Sequence, residues 1–146
     1  MVIQKDDWDY ICEIPAGDQI VRMGFEAYNF TLDTIHYNIN LVVYTKRKKM
    51  YEHFDHKDIT GLRPHATIVA MRQAFEALLD HCLRDYLEYY NILIGCYWLD
   101  TRRRNMYYRF LSRYGFRYGR VDGQRLIFRK YKKGEYNYED DNERDD

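Results

Sequence analysis

Between Ile68 and Leu87 the apolar residues fall at Ile68, Met71, Phe75, Leu78, Leu79, Cys82, Leu83, Tyr86 and Leu87, in steps of three, four or one. That spacing predicts an amphipathic helix. It begins at Pro64, whose missing N–H suits a first helical turn. Arg72, Gln73, Glu76, Asp80 and Arg84 fill the opposite side. From Thr34 to Tyr44 the period changes to two, with Ile35, Tyr37, Ile39, Leu41 and Val43 alternating with other residues, which predicts a strand. Ile92 to Trp98 is continuously apolar apart from Gly95, as in a strand buried on both faces. Asp100 or Thr101 then caps a second helix to about Tyr114. Its inner stripe is the Arg103 stem, Tyr107, Phe110, Leu111 and Tyr114, its outer stripe is Arg102, Arg109 and Arg113, and Gly115 closes it. Phe116 to Val121 and Arg125 to Tyr131 read as two strands joined through Asp122-Gly123, a hairpin turn pair.

The front of the chain is less regular. Asp7 to Ile14 is a short strand or a first turn, and Pro15-Ala16-Gly17 is a break. Asp18 can cap a helix to about Tyr28, with Ile20, Val21, Gly24, Phe25 and Tyr28 on one face. Lys46 to Lys49 is a turn or rim, and Met50 to Phe54 a further strand. Together these elements predict an α/β fold, a mixed β-sheet of about five to seven strands flanked by helices. Residues 1–133 form a single domain and residues 134–146 an acidic tail.

Hydrophobic residues make up 46% of the 146, too large a share for a disordered chain. No apolar run reaches the roughly 18 residues of a membrane span, so no membrane partner is expected. The opening MVIQKDDWDY is too polar for a secretory signal, which points to a cytoplasmic setting. Cys12, Cys82 and Cys96 are odd in number and widely spaced, as buried thiols of a reducing compartment would be. His53 and His56 have a ligand-like spacing, but no third ligand is placed and no metal site is expected. Ser112, the only serine, lies mid-helix and has no nucleophile motif around it.

The net charge of zero hides segregation. Residues 100–133 hold twelve Lys and Arg against Asp100 and Asp122, a net of +10, and residues 134–146 carry a net of −6. Arg102, Arg103 and Arg104 stand where cations oppose the helix macrodipole, which favours a role in gripping phosphates.

The stretch from Asn91 to Lys130 resembles the C-terminal half of the GNAT superfamily of N-acetyltransferases. The residues that carry the likeness are the strand NILIGCYW, the helix RRRNMYYRFLSRYGF with its aromatic-to-Gly-Phe ending, and the hairpin RYGRVDGQRLIFRK. The resemblance implies transfer of an acyl group from acetyl-CoA to an amine. It places Arg63, His65 and Thr67 near the pyrophosphate, with Arg104 also a phosphate ligand. It runs the pantetheine along Leu93, Ile94 and Tyr97, and makes Tyr107 or Tyr108 the proton donor, with Tyr108 the more exposed. The family's glycine-rich phosphate loop is degenerate here: Gly61-Leu62-Arg63-Pro64-His65-Ala66-Thr67 keeps one glycine, and Pro64 removes an N–H donor.

Similar short acetyltransferase-like proteins occur in tailed bacteriophages. They suggest a second reading, a non-catalytic protein of virion assembly or host interaction, located in the virion. It would dock a protein partner through the basic face 102–133 or the acidic tail. A third reading is a small nucleic-acid-binding protein, from the interleaved basic residues and tyrosines between Tyr107 and Tyr131.

Overall fold

The computed structural model describes residues 2–45, 52–53 and 64–135. Arg63, His56, the Lys46–Lys49 turn and most of the acidic tail lie outside the described residues, as do the side chains of residues 52 and 53. Among the described residues, eight strands and two helices form one α/β domain: β1 (Val2–Asp6), β2 (Asp9–Ala16), β3 (Gln19–Phe30), β4 (Thr34–Thr45), β5 (Glu52–His53), α1 (Pro64–Tyr86), β6 (Asn91–Cys96), α2 (Thr101–Leu111), β7 (Arg117–Val121) and β8 (Gln124–Tyr131). The sheet order is β1-β2-β3-β4-β6-β8-β7, with β5 pairing β4. All neighbours are antiparallel except β4 and β6, which are parallel and joined through α1. A parallel pair needs such a crossover, because a tight turn cannot reverse the chain twice.

The helix expected from Asp18 to Tyr28 is instead β3. Ile20, Val21, Gly24, Phe25 and Tyr28 fit a helical face, but the same stretch also alternates. Val21, Met23 and Phe25 are buried, while Arg22 and Gly24 are half-buried and Glu26 is exposed. Pairing along both edges, with β2 and with β4, decides between the two periods. Pro15 lies exposed inside β2 rather than ending it. Asp7 to Ile14 resolves into a turn and most of β2.

One sheet face meets α1 and forms the core. Tyr10, Cys12 and Ile14 of β2, Val21, Met23 and Phe25 of β3, Tyr37 and Ile39 of β4, and Ile92, Ile94 and Cys96 of β6 all belong to it. The centre is Phe75 of α1, fully buried, with ring centroids 5.8 Å from Phe25, 5.8 Å from Phe110, 4.6 Å from Tyr114 and 5.8 Å from Phe116. This cluster pulls α2 against α1, and Tyr114 Oη adds a 3.0 Å hydrogen bond to Glu76.

Asp100 caps α2: its Oδ1 accepts from the Arg103 N–H at 2.8 Å, and Oδ2 pairs with the Arg103 guanidinium at 2.9 Å. The helix passes into a 3-10 turn, Ser112–Tyr114, and ends at Gly115 in the left-handed region (φ 86°), with Phe116 N–H donating to Leu111 O. Asp100→Ala is expected to cost about 1 kcal/mol, because it removes the cap and leaves three arginines on the positive end of the helix. A thermal melt against the parent checks this, and an unchanged midpoint would show that the cap is idle.

Candidate functional site

The parallel pair is zipped only part-way. Thr34 to Asn38 of β4 match Asn91 to Gly95 of β6, and there the ladder ends. β6 ends at Cys96, which pairs on its other side with Ile127 of β8. β4 runs on to Thr45 against β3, and on the β6 side it meets only β5, at Val42 and Val43. Ile39 to Leu41 therefore have no ladder partner on that side among the described residues. The open end of the ladder, between Ile39–Leu41 and the end of β6, is the fork.

Both helices close the fork on the core face. Its walls are Met23, Ile39, Leu41, Met71, Phe75, Cys96, Tyr97, Tyr107, Phe110 and Leu111, around a cavity of about 40 Å³. This is far below the roughly 300–1,000 Å³ of a pocket for a drug-sized ligand. The bulky Tyr107 and Phe110 occupy the gap from α2, and Phe75 and Met71 from α1. The Cys96 thiol at the throat is pushed up to about 12 by burial, so it stays protonated and serves as wall rather than nucleophile.

The residues expected to act together separate. Tyr107 lines the fork; Tyr108, one residue on, turns to β7 and stacks on Tyr118 with centroids 4.3 Å apart and planes 11° apart. Both tyrosines are half-buried, so Tyr108 is not set apart by exposure. Tyr97 also lines the fork. Leu93 and Ile94 do not: they are ladder partners of His36 and Tyr37 within the zipped stretch, where no arm can pass. Of the phosphate candidates, His65 is exposed in the first turn of α1. Thr67 is fully buried and donates its hydroxyl to Gln19 Oε1 at 2.8 Å, which directs it to the sheet and away from the surface. Arg104 is half-buried on the first turn of α2, within 3.4 Å of Asn105 Oδ1.

On the opposite sheet face, beside the fork, lies a polar strip that the sequence reading missed. Asn38 occupies the last zipped position, and its Nδ2 donates to Asn40 Oδ1 at 3.1 Å. Asn40 Nδ2 in turn donates to Glu26 Oε2 at 2.9 Å, and Glu26 stands opposite Asn38 in the ladder. His36, two residues back, is buried under Tyr28, with ring centroids 5.9 Å apart. His36 Nδ1 and Asn38 Oδ1 are buried without a hydrogen-bond partner. Tyr28 Oη reaches Tyr97 Oη at 3.4 Å, and burial, then this contact, raises the Tyr28 phenol above its ordinary value. The available signal was the alternation Arg22-Gly24-Glu26 against Val21-Met23-Phe25, which the helical reading of this stretch concealed.

No family model, curated protein or solved structure matches the chain. Among the described residues no helix is long and apolar enough to cross a membrane.

Proposed function

We propose that the chain is a GNAT-like N-acyltransferase that takes its acyl group from acetyl-CoA and gives it to an amine. The observation that carries this reading is the fork between β4 and β6. A strand edge with unpaired amides is a ready partner for another amide-bearing chain. Ile39 to Leu41 offer such an edge, and the walls around it are apolar, as a pantetheine arm requires. The arm's volume is accommodated only if Phe110 swings out. The bound cofactor would supply the thioester.

The chain's own groups then have separate tasks. The amine must lose a proton as the C–N bond forms and the C–S bond breaks, and the departing sulfur must gain one. Glu26, beside the fork on the opposite face and hydrogen-bonded to Asn40, would take the first proton. The hydroxyl of Tyr107, which lines the fork from α2, would give the second. Arg63, His65 and Arg104 would meet the diphosphate.

The small cavity favours a second reading, a non-catalytic protein on the same scaffold, of the kind encoded by bacteriophages and acting in virion assembly or host interaction. Titration with acetyl-CoA separates the two. Saturation at 100 times Kd stabilises by about 2.7 kcal/mol, which should lift the melting temperature by several degrees. Phe110→Ala opens the fork and should tighten binding. No shift with either protein at millimolar acetyl-CoA would leave the non-catalytic reading standing.

A further inference from the structure

We propose that the end of the molecule built from α2, β7 and β8 binds single-stranded nucleic acid, with phosphates on its arginines and a base on the Tyr108–Tyr118 stack. The fold gathers the +10 segment at one end of the sheet, of which β7 is the edge strand. Several of its guanidinium groups are held by neutral carbonyls. Arg120 donates to Gly123 O at 3.2 Å, Arg117 to Phe116 O at 2.7 Å and Ser112 O at 3.2 Å, and Arg129 to Tyr114 O. A carbonyl orients a guanidinium without neutralising it, so the positive charge is aimed and kept.

The arrangement also costs stability. Arg120 and Arg125 are direct cross-strand partners in the β7–β8 hairpin, where like charges repel. Arg102, Arg103 and Arg104 crowd the positive end of α2, with Asp100 pairing Arg103. Two unfavourable charge placements at one end are relieved together by an anion that spans them. Along the outer side of α2, Thr101, Arg102, Asn105, Met106 and Arg109 line a shallow groove of about 500 Å³.

Charge alone would suit any polyanion; the rings narrow the class. Tyr118 is 43% exposed, stacked on Tyr108 and met edge-on by Trp98 at 6.0 Å and 87°. A two-ring stack flanked by cations is extended by one more flat ring, and an unpaired base presents one. A duplex hides its base faces, and an acidic peptide has no use for the stack. Tyr108, Tyr118, Arg120 and Arg125 do not line the fork; only Arg104 is shared with the diphosphate role proposed above, so the surface stands whether or not the chain transfers acyl groups.

The test is fluorescence anisotropy of the full chain with a labelled oligothymidylate, with heparin and a labelled acidic peptide as comparisons. Binding should appear at low salt, and log Kobs should fall linearly with log salt, by about 0.7 for each phosphate contacted. Tyr118→Leu should weaken binding roughly tenfold and leave the salt slope unchanged. Arg125→Gln should weaken binding and reduce the slope by about 0.7, while its melting temperature holds or rises because the Arg120–Arg125 repulsion is gone. No binding at low salt would overturn the proposal. So would heparin or the acidic peptide binding as tightly while Tyr118→Leu has no effect, since the surface would then read charge alone.

Discussion

Phe75→Ala is expected to lower the unfolding free energy by about 3–5 kcal/mol. The ring is fully buried and touches four other aromatics, on β3, on α2, in the 3-10 turn and at Phe116 just before β7. Truncation removes the transfer energy of the ring and opens a void that rigid aromatic neighbours cannot refill. Edge-to-face pairs contribute about 0.5–1.5 kcal/mol each beyond burial, so losing several at once adds to the cost. Domains of this size have about 5–15 kcal/mol in total, so the variant should sit near its unfolding threshold at 37 °C. Urea denaturation measures it. A loss under about 1 kcal/mol would mean that α2 is not held to α1 by this cluster. The fork would be affected too, since Phe75 is part of its wall.

The helices and the C-terminal half were legible because one period dominates each segment. The α1 stripe runs uninterrupted for more than five turns, and no β pairing competes with it. The β7–β8 turn was legible from two residues: Asp122 (φ 52°) and Gly123 (φ 81°) both adopt the positive φ that Asp-Gly accepts. β3 was not legible because Val21 and Phe25, four residues apart, satisfy both periods at once, and Ile20, Gly24 and Tyr28 fit the helical one. Only the neighbouring strands decide, and they come from distant sequence: Tyr10 and Ile39 flank Phe25.

Little of the candidate site was legible locally. Tyr97 and Tyr107 became candidates through the family resemblance rather than through any local period, and both line the fork. The fork itself depends on where the β4–β6 register stops, which no single segment states. Thr67 shows the same limit. Its place in the first turn of a helix looks suited to phosphate, yet Gln19, 48 residues earlier, claims its hydroxyl inside the core. Glu26, Asn38 and Asn40 come together only through cross-strand pairing, so misreading β3 removed one of the three from view.

Raising the pH from 8 to 11 is expected to remove about 5 kcal/mol of stability through two thiols alone. Burial pushes Cys82 and Cys96 each from 9.0 up to about 12. Around Cys82, the Tyr37 hydrogen bond and Lys5 pull the other way and Asp85 reinforces the rise, but burial dominates. The sign follows from where the proton sits. Below pH 9 both the folded and unfolded chains hold it, and the stabilising difference is intact. Between 9 and 12 the unfolded chain releases the proton while the folded chain retains it, so unfolding becomes progressively easier, by about 2–3 kcal/mol per thiol at pH 11. Tyr10 and Tyr37, also raised chiefly by burial, steepen the fall once the pH passes 10. The urea midpoint should therefore hold between pH 7 and 8.5 and then drop sharply. In Cys82→Ala/Cys96→Ala the midpoint should start lower, because two small voids open in the core, but fall less between pH 8 and 10. A parent midpoint that stays level to pH 10.5 would mean that these thiols reach solvent, and the packed junction of α1, β6 and the fork would be wrong at its centre.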